Sequence, residues 1–294
     1  KNSAFGVFAL ENNTTGAENV ALGKDSLGAN TTGPNNTAVG TNSLRRNTEG
    51  EDNTAVGNLA LCTNTTGDHN VAVGLSALHK NTTADNNVAV GTCASGCNTD
   101  GHSNVSIGFS ALCTNTTGDK NIAIGHQSLL SLATANEIVA IGYNSLRALT
   151  TGTDNTAVGF EAGKSITTGD RNTAMGYLAL STMTTVADNT AVGYKAMTAN
   201  TSGSNNTAVG KDAMLANTTG ANNVAIGQNA LETSTSGGAN TAVGQLAAQD
   251  LTTGAENTAI GHEAGNNITT GTNNTLLGHE AGTDAVANVV ASNG

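Results

Sequence analysis

The sequence predicts an all-β protein, a parallel β-solenoid (β-roll) of seventeen 17-residue coils. Three observations lead to this fold class: a glycine that returns every 17 residues without insertion or deletion, an alternating apolar segment before it, and a turn motif after it. The glycine stands at positions 6, 23 and 40 and at every later step of 17 up to position 278. A fixed short period is the signature of a repeat architecture, in which each unit stacks on its neighbours.

The segment before each glycine predicts a short strand. Positions 36–39 read Asn-Thr-Ala-Val before Gly40, so larger residues alternate with a small one at a period of two. The Asn that opens the segment is present in 16 of 17 copies, with Ile138 as the exception. We therefore expect an internal ladder of Asn side chains, each bonding the next coil. The predicted ladder and turn positions include Asn36, Gly40, Asn53, Gly57, Asn70 and Gly74.

The segment after each glycine predicts the rest of the coil. Ala or Ser stands three residues after the glycine in all 17 copies, and Leu usually follows, as at Leu44. We interpret this segment as a second short strand or a turn edge, with the Leu in the interior. Asn-Thr-Thr-Gly, as at positions 30–33, then closes the coil. Asn tolerates a left-handed backbone and Gly adopts positive φ, so this motif predicts a turn.

A row of alanines runs through the middle of the predicted strands, for example Ala38, Ala55 and Ala72. Alanine is too small to fill a roll interior alone, but it permits another chain to approach closely. One thin coil also buries little apolar area. We therefore expect self-association, and we favour three chains around an axis over a head-to-tail polymer.

The period defines the domain organisation. Residues 1–282 are predicted to form a single repeat solenoid, and residues 283–294 a degenerate terminal coil or the start of a following module. Neither end of the repeat region resembles a polar cap. Uncapped sheet edges favour end-to-end pairing, so we expect either a piece of a longer fibre or subunits that polymerise head to tail.

Composition argues against several classes of protein. The net charge is −11, and the 11 basic residues are scattered rather than clustered, so we expect no nucleic-acid partner. No apolar run is long enough to cross a bilayer, so we expect no membrane insertion within this segment. No motif indicates a cofactor.

The cysteines offer one candidate crosslink. Cys93 and Cys97 lie in one coil, where either a local disulfide or two unpaired thiols is possible. Cys62 and Cys113 occupy equivalent positions three coils apart. Strand spacing places them about 14 Å from each other, too far for a disulfide.

Acidic and histidine residues are interpreted as surface groups. His262-Glu263 and His279-Glu280 stand at equivalent, variable positions, so we predict neither a catalytic nor a metal site there. Acidic residues before the ladder Asn, such as Asp52, suggest calcium binding. The glycine-rich nonapeptide of calcium-binding rolls is absent, however, so a solvated turn face is the preferred interpretation.

The pentapeptide repeat also resembles a known family. Asn-Val-Ala-Ile-Gly at positions 223–227 and its copies resemble the head repeats of YadA-like trimeric autotransporter adhesins. They are also similar to repeat arrays of phage and virus tail-fibre proteins. The resemblance implies a left-handed parallel β-roll, a homotrimer and a place outside the cell, on a cell or virion surface. The adhesin repeat is usually shorter, so a wider coil is expected here.

The expected function is that of an extracellular structural or adhesive fibre segment, an adhesin head or a tail-fibre shaft, without catalytic activity. Partners would be other copies of the chain and a host surface protein or glycan. The predicted contact stripe, whose alternative role is inter-chain packing, consists of Tyr143, Phe160, Tyr177 and Tyr194. A self-assembling filament is the alternative. Ice binding is a lesser one, because the Thr-Thr turns give only one outward Thr per strand.

Overall fold

A computed structural model describes residues 1–283, and the chain divides into two compact units, Lys1–Thr151 and Gly152–Gly294. In both described parts every regular element is a three-residue β-strand. The strands of the first unit are β1 (Ser3–Phe5), β2 (Val20–Leu22), β3 (Thr37–Val39), β4 (Thr54–Val56), β5 (Val71–Val73), β6 (Val88–Val90), β7 (Val105–Ile107), β8 (Ile122–Ile124) and β9 (Val139–Ile141). Those of the second are β10 (Thr156–Val158), β11 (Thr173–Met175), β12 (Thr190–Val192), β13 (Thr207–Val209), β14 (Val224–Ile226), β15 (Thr241–Val243), β16 (Thr258–Ile260) and β17 (Thr275–Leu277).

Within each unit the strands form a parallel sheet in which every residue pairs with its equivalent one period later. In the first unit Thr37 pairs with Thr54 and Ala38 with Ala55. In the second, Thr190 pairs with Thr207 in the same register. Successive strands begin 17 residues apart, which confirms the predicted all-β parallel solenoid. The change of pattern expected over 283–294 falls, except for Thr283, outside the described residues.

The interior of each coil is filled by the middle residue of the strand and by the Leu that follows the glycine. Ala38 and Leu44 are fully buried, as are their equivalents in most coils. The buried Leu was predicted. The alanine row, expected to admit a second chain, instead faces inward, because the coil is so narrow that Ala and Leu together fill it. The alanine row therefore cannot be the association surface.

The backbone path between strands uses left-handed residues rather than a second strand. In each coil positive φ occurs two and four residues after the glycine and just before the ladder Asn, as at Asp25 (55°), Leu27 (49°) and Asn35 (59°). The prediction that the Asn-Thr-Thr-Gly glycine has positive φ is wrong. Gly33 does not have a positive φ. A Cβ at this position would lie 2.2 Å from the Gly50 carbonyl oxygen, so the close approach of the neighbouring coil's backbone is what requires glycine here.

Candidate functional site

The ladder of Asn side chains expected before each strand is present inside both units. The backbone N–H of Asn53 donates to Oδ1 of Asn36 at 3.0 Å, and that of Asn70 donates to Oδ1 of Asn53 at 2.9 Å. Nδ2 of Asn53 donates to the Gly67 carbonyl at 2.8 Å. These amides are fully buried. Each Asn thus supplies the acceptor and donor that the buried turn of the neighbouring coil requires.

The Asn of the Asn-Thr-Thr-Gly motif forms a second ladder. Nδ2 of Asn47 donates to Oδ1 of Asn30 at 2.8 Å and to the Gly50 carbonyl at 2.8 Å. The motif thus has the local turn bonding that the sequence predicts, since Asn47 reaches the carbonyl three residues later, and it also bonds the neighbouring coil. The signal was available in the sequence, because equivalent Asn residues recur at this position. Apolar residues interrupt this ladder at Leu132, Leu149, Ile166 and Met183, and again at Leu251 and Ile268.

The first and third residues of each strand, together called the strand face, point away from the interior. From β2 to β16 the middle residue is buried, whereas the outer two are exposed or partly exposed. None of the strands β1 to β17 carries a charged residue; their outer positions hold Ser, Thr, Val, Ile, Leu, Met and Phe. Among the exposed apolar side chains are Val56, Ile107, Met175, Ile226 and Ile260. A chain of net charge −11 thus keeps the strand face, which consists mainly of apolar and Thr side chains, free of charge in both units.

Aromatic side chains form a column at the first position after the glycine. In the first unit Phe109, His126 and Tyr143 stack with ring-centroid distances of 5.3 and 5.1 Å. The predicted stripe named only Tyr143 from this set. The equivalent position in consecutive coils was the signal that would have added Phe109 and His126.

In the second unit the other three predicted stripe residues also stack. Phe160, Tyr177 and Tyr194 stack at 5.2 Å between successive rings, and Lys195 Nζ lies 5.3 Å from the Tyr194 ring centroid. The side chains are about half exposed. Because each ring covers the face of the next, the columns present ring edges and tyrosine hydroxyl groups to solvent.

The histidine–glutamate pairs lie on the surface, where the sequence placed them. His262 and His279 stack at 5.1 Å, and each imidazole lies beside the carboxylate that follows it, at 3.7 Å for His262–Glu263 and 3.5 Å for His279–Glu280. All four side chains are at least partly exposed. The arrangement is a short ladder of imidazole–carboxylate pairs on a solvated edge.

The four cysteines are unpaired thiols in the structure. Cys93 and Cys97, considered for a local disulfide, are therefore not bridged to each other. Their coil is joined to the next one through the backbone, where the N–H of Cys97 donates to the carbonyl of Cys113 at 3.0 Å. Burial raises the pKa of the Cys62 and Cys113 thiols above the usual range, so both favour the neutral form.

Comparison with known proteins adds no relative. No protein-family model matches the chain, and neither does any curated protein. Across residues 1–283 no helix has the length and hydrophobicity needed to cross a membrane.

Proposed function

We propose that the chain is an extracellular structural and adhesive fibre segment that self-associates through its strand face. The observation that carries this proposal is the absence of charge from that face in every strand. Surface strands exposed to water commonly carry Lys or Glu, which prevent association between sheets. A repeated face of Val, Ile and Thr without such residues favours contact with another copy of itself.

The thinness of the coil supports the same proposal. Each coil has an interior composed mainly of one Ala, one Leu and an Ala or Ser, with Asn amides at the ends. Such an interior excludes little apolar surface from water per residue, and a small core is commonly supplemented by oligomerisation. Packing of strand faces around an axis would add the missing apolar layer. Three copies are favoured because the repeats resemble those of trimeric adhesin heads.

The aromatic columns are the proposed adhesive surface. Tyrosine and phenylalanine combine a large apolar area with few rotatable bonds, and the tyrosine hydroxyl adds a hydrogen-bonding group. The stacked rings offer such groups on consecutive coils, which suits an extended partner such as a surface protein or a glycan. Resemblance to cell-surface and tail-fibre repeats supports a location on a cell or virion surface.

Ice binding is a second candidate, favoured by one observation. In the second unit the first residues of four consecutive strands are Thr156, Thr173, Thr190 and Thr207, and all four are partly exposed. The strand face therefore adds an outward Thr column to the Thr-Thr turns. A regular array of hydroxyl and methyl groups on a flat sheet is the type of surface that an ordered solid could match.

Light scattering with negative-stain imaging tests the leading proposal, using a charge placed on the strand face. Ile226 is 41% exposed there, and the exposed Gln228 lies two residues further on, outside the strand. We expect a discrete oligomer for the wild type and for Gln228→Lys, and dissociation for Ile226→Lys. A monomeric wild type would contradict the proposed self-association. Thermal hysteresis of the protein solution would then be measured, because it tests the ice-binding candidate. Long filaments would instead support the polymer alternative.

A further inference from the structure

Three potential metal ligands converge at the junction of two coils in the first unit. Glu51 and Asp52 lie before strand β4, and His69 lies at the position equivalent to Asp52 one coil later. One carboxylate oxygen of each acid and one imidazole nitrogen all lie within 4.8 Å of one another. All three residues are exposed, so an ion can reach them from solvent without a channel.

The distances suit a small divalent ion bound by nitrogen and oxygen. Nε2 of His69 lies 3.6 Å from Oδ2 of Asp52. In a tetrahedral site with metal–ligand bonds near 2.1 Å, neighbouring ligand atoms are separated by about 3.4 Å. The His69–Asp52 pair is therefore close to the separation that one ion requires. The Glu51 carboxylate oxygen lies within 4.8 Å of both atoms and would move closer to bind the same ion.

The backbone that carries these ligands is fixed by hydrogen bonds between the two coils. The N–H of His69 donates to the Glu51 carbonyl at 3.0 Å. The N–H of Glu51 donates to Oδ1 of Asp68 at 2.8 Å. Below them, Asn70 and Asn53 belong to the buried Asn ladder. Because a rigid scaffold holds the ligand-bearing residues, little backbone entropy is lost when an ion binds.

A second histidine–aspartate pair shows what distinguishes this cluster. Nδ1 of His102 lies 3.7 Å from Oδ2 of Asp85, a separation similar to that of His69 and Asp52. That nitrogen, however, already accepts a hydrogen bond from the Asp85 backbone N–H at 3.0 Å. No third His, Cys or acidic ligand atom joins this pair within the described residues. It therefore provides a matched control inside the same unit.

We propose that Glu51, Asp52 and His69 form a binding site for a divalent transition-metal ion of the zinc type, with water in the remaining position. One imidazole and two carboxylates are a ligand set that suits Zn²⁺, whereas Ca²⁺ requires six to eight oxygen ligands. The bound ion would link two successive coils, since Asp52 and His69 belong to neighbouring turns. The site is independent of the adhesive function and of the oligomeric state.

Isothermal titration of the full chain with Zn²⁺, after chelator treatment, tests the site in the wild type, His69→Gln and His102→Gln. We expect the wild type and His102→Gln to share one binding event that His69→Gln lacks or shows at least tenfold weaker. Asp52→Asn should weaken it similarly. Circular dichroism will verify that each variant retains the wild-type fold.

Two outcomes would overturn the proposal. One is an isotherm of His69→Gln that matches the wild type, which would place any bound zinc elsewhere, for example at the stacked His262 and His279. The other is a wild type without saturable zinc binding. Titration with Ca²⁺ adds a test of ligand class, because a site that prefers Ca²⁺ to Zn²⁺ would contradict the assigned chemistry.

Discussion

Replacement of Asn53 by Ala should destabilise the first unit by about 2–4 kcal/mol, because three buried hydrogen bonds depend on its side chain. Its Oδ1 accepts from the N–H of Asn70 at 2.9 Å and from Nδ2 of Asn70 at 3.2 Å, and its own Nδ2 donates to the Gly67 carbonyl at 2.8 Å. The Asn70 side-chain amide keeps another acceptor, the Ala84 carbonyl, so the loss of its bond to Asn53 adds little. A buried N–H without an acceptor costs about 1–3 kcal/mol. The Gly67 carbonyl is affected less, since Nδ2 of Asn64 also donates to it at 2.9 Å. Its weakened bonding adds about 1 kcal/mol.

Two measurements check this prediction. Guanidinium unfolding followed by circular dichroism gives the change in the free energy of unfolding, and native-state hydrogen exchange reports the protection of the Asn70 amide. Asn58→Ala is the matched control, because Asn58 is exposed and should change stability by less than about 0.5 kcal/mol. The Asn53/Asn64 double replacement should cost more than the sum of the single ones, since it leaves the Gly67 carbonyl without either side-chain donor.

The reasoning would be refuted by an Asn53→Ala variant as stable as Asn58→Ala with an equally protected Asn70 amide. That result would mean that water or backbone movement satisfies the buried groups as well as the ladder does. An additive double replacement would contradict the narrower claim that Asn53 and Asn64 share one acceptor.

Three further predictions concern backbone conformation and charge. Ala239→Gly should stabilise the second unit by about 0.5–1 kcal/mol, because Ala239 has a φ of 56° that Gly adopts without strain. The same change at Ala255, whose φ is not positive, should destabilise the unit by a similar amount, and thermal unfolding compares the two variants. Gly57→Ala should destabilise by at least about 3 kcal/mol, measured by guanidinium unfolding, since its φ is 134° and a Cβ would lie 2.6 Å from the next coil's carbonyl oxygen. The Arg171 guanidinium, hydrogen-bonded to Asp188 at 2.7 Å, lowers the pKa of the Asp188 carboxyl. The pair's contribution to stability is therefore present above the usual carboxyl pKa and is lost as pH falls through the lowered pKa of Asp188. NMR titration of Arg171→Gln should show that the Asp188 pKa rises.

The stacking of equivalent residues could be predicted from the sequence because a period without insertions leaves only one register. The ladder at Asn36 and the burial of Leu44 follow from that register and from polarity. The direction of Ala38 could not be predicted in the same way. Alternation in a strand shows that its two faces differ, but it does not show which face is buried. That depends on which residues lie across the coil, and Leu44 packs on the same side as Ala38 only because of the conformation of the turn between them.

That turn was not predictable from residue preferences. Leu27 and its equivalents adopt a left-handed conformation that Leu rarely takes, and the tertiary fit of its side chain overrides the local cost. The cluster of Glu51, Asp52 and His69 was missed for a different reason. Its members look like unrelated surface charges until the period aligns Asp52 with His69 in neighbouring coils. The second Asn ladder and the uncharged strand face were both visible in aligned repeats.

The nearly exclusive pairing of each coil with its equivalent neighbours has an evolutionary consequence. Within either unit, a recombination event that adds or removes one whole period restores the same hydrogen bonds at the new junction. An insertion of any other length would misalign both Asn ladders and move side chains between the interior and the surface. Selection can therefore change the chain only in whole-coil steps, and each step lengthens the strand face and adds one position to the aromatic column. Gene copy errors of this kind would adjust the avidity of a surface for a repetitive partner without altering any single contact.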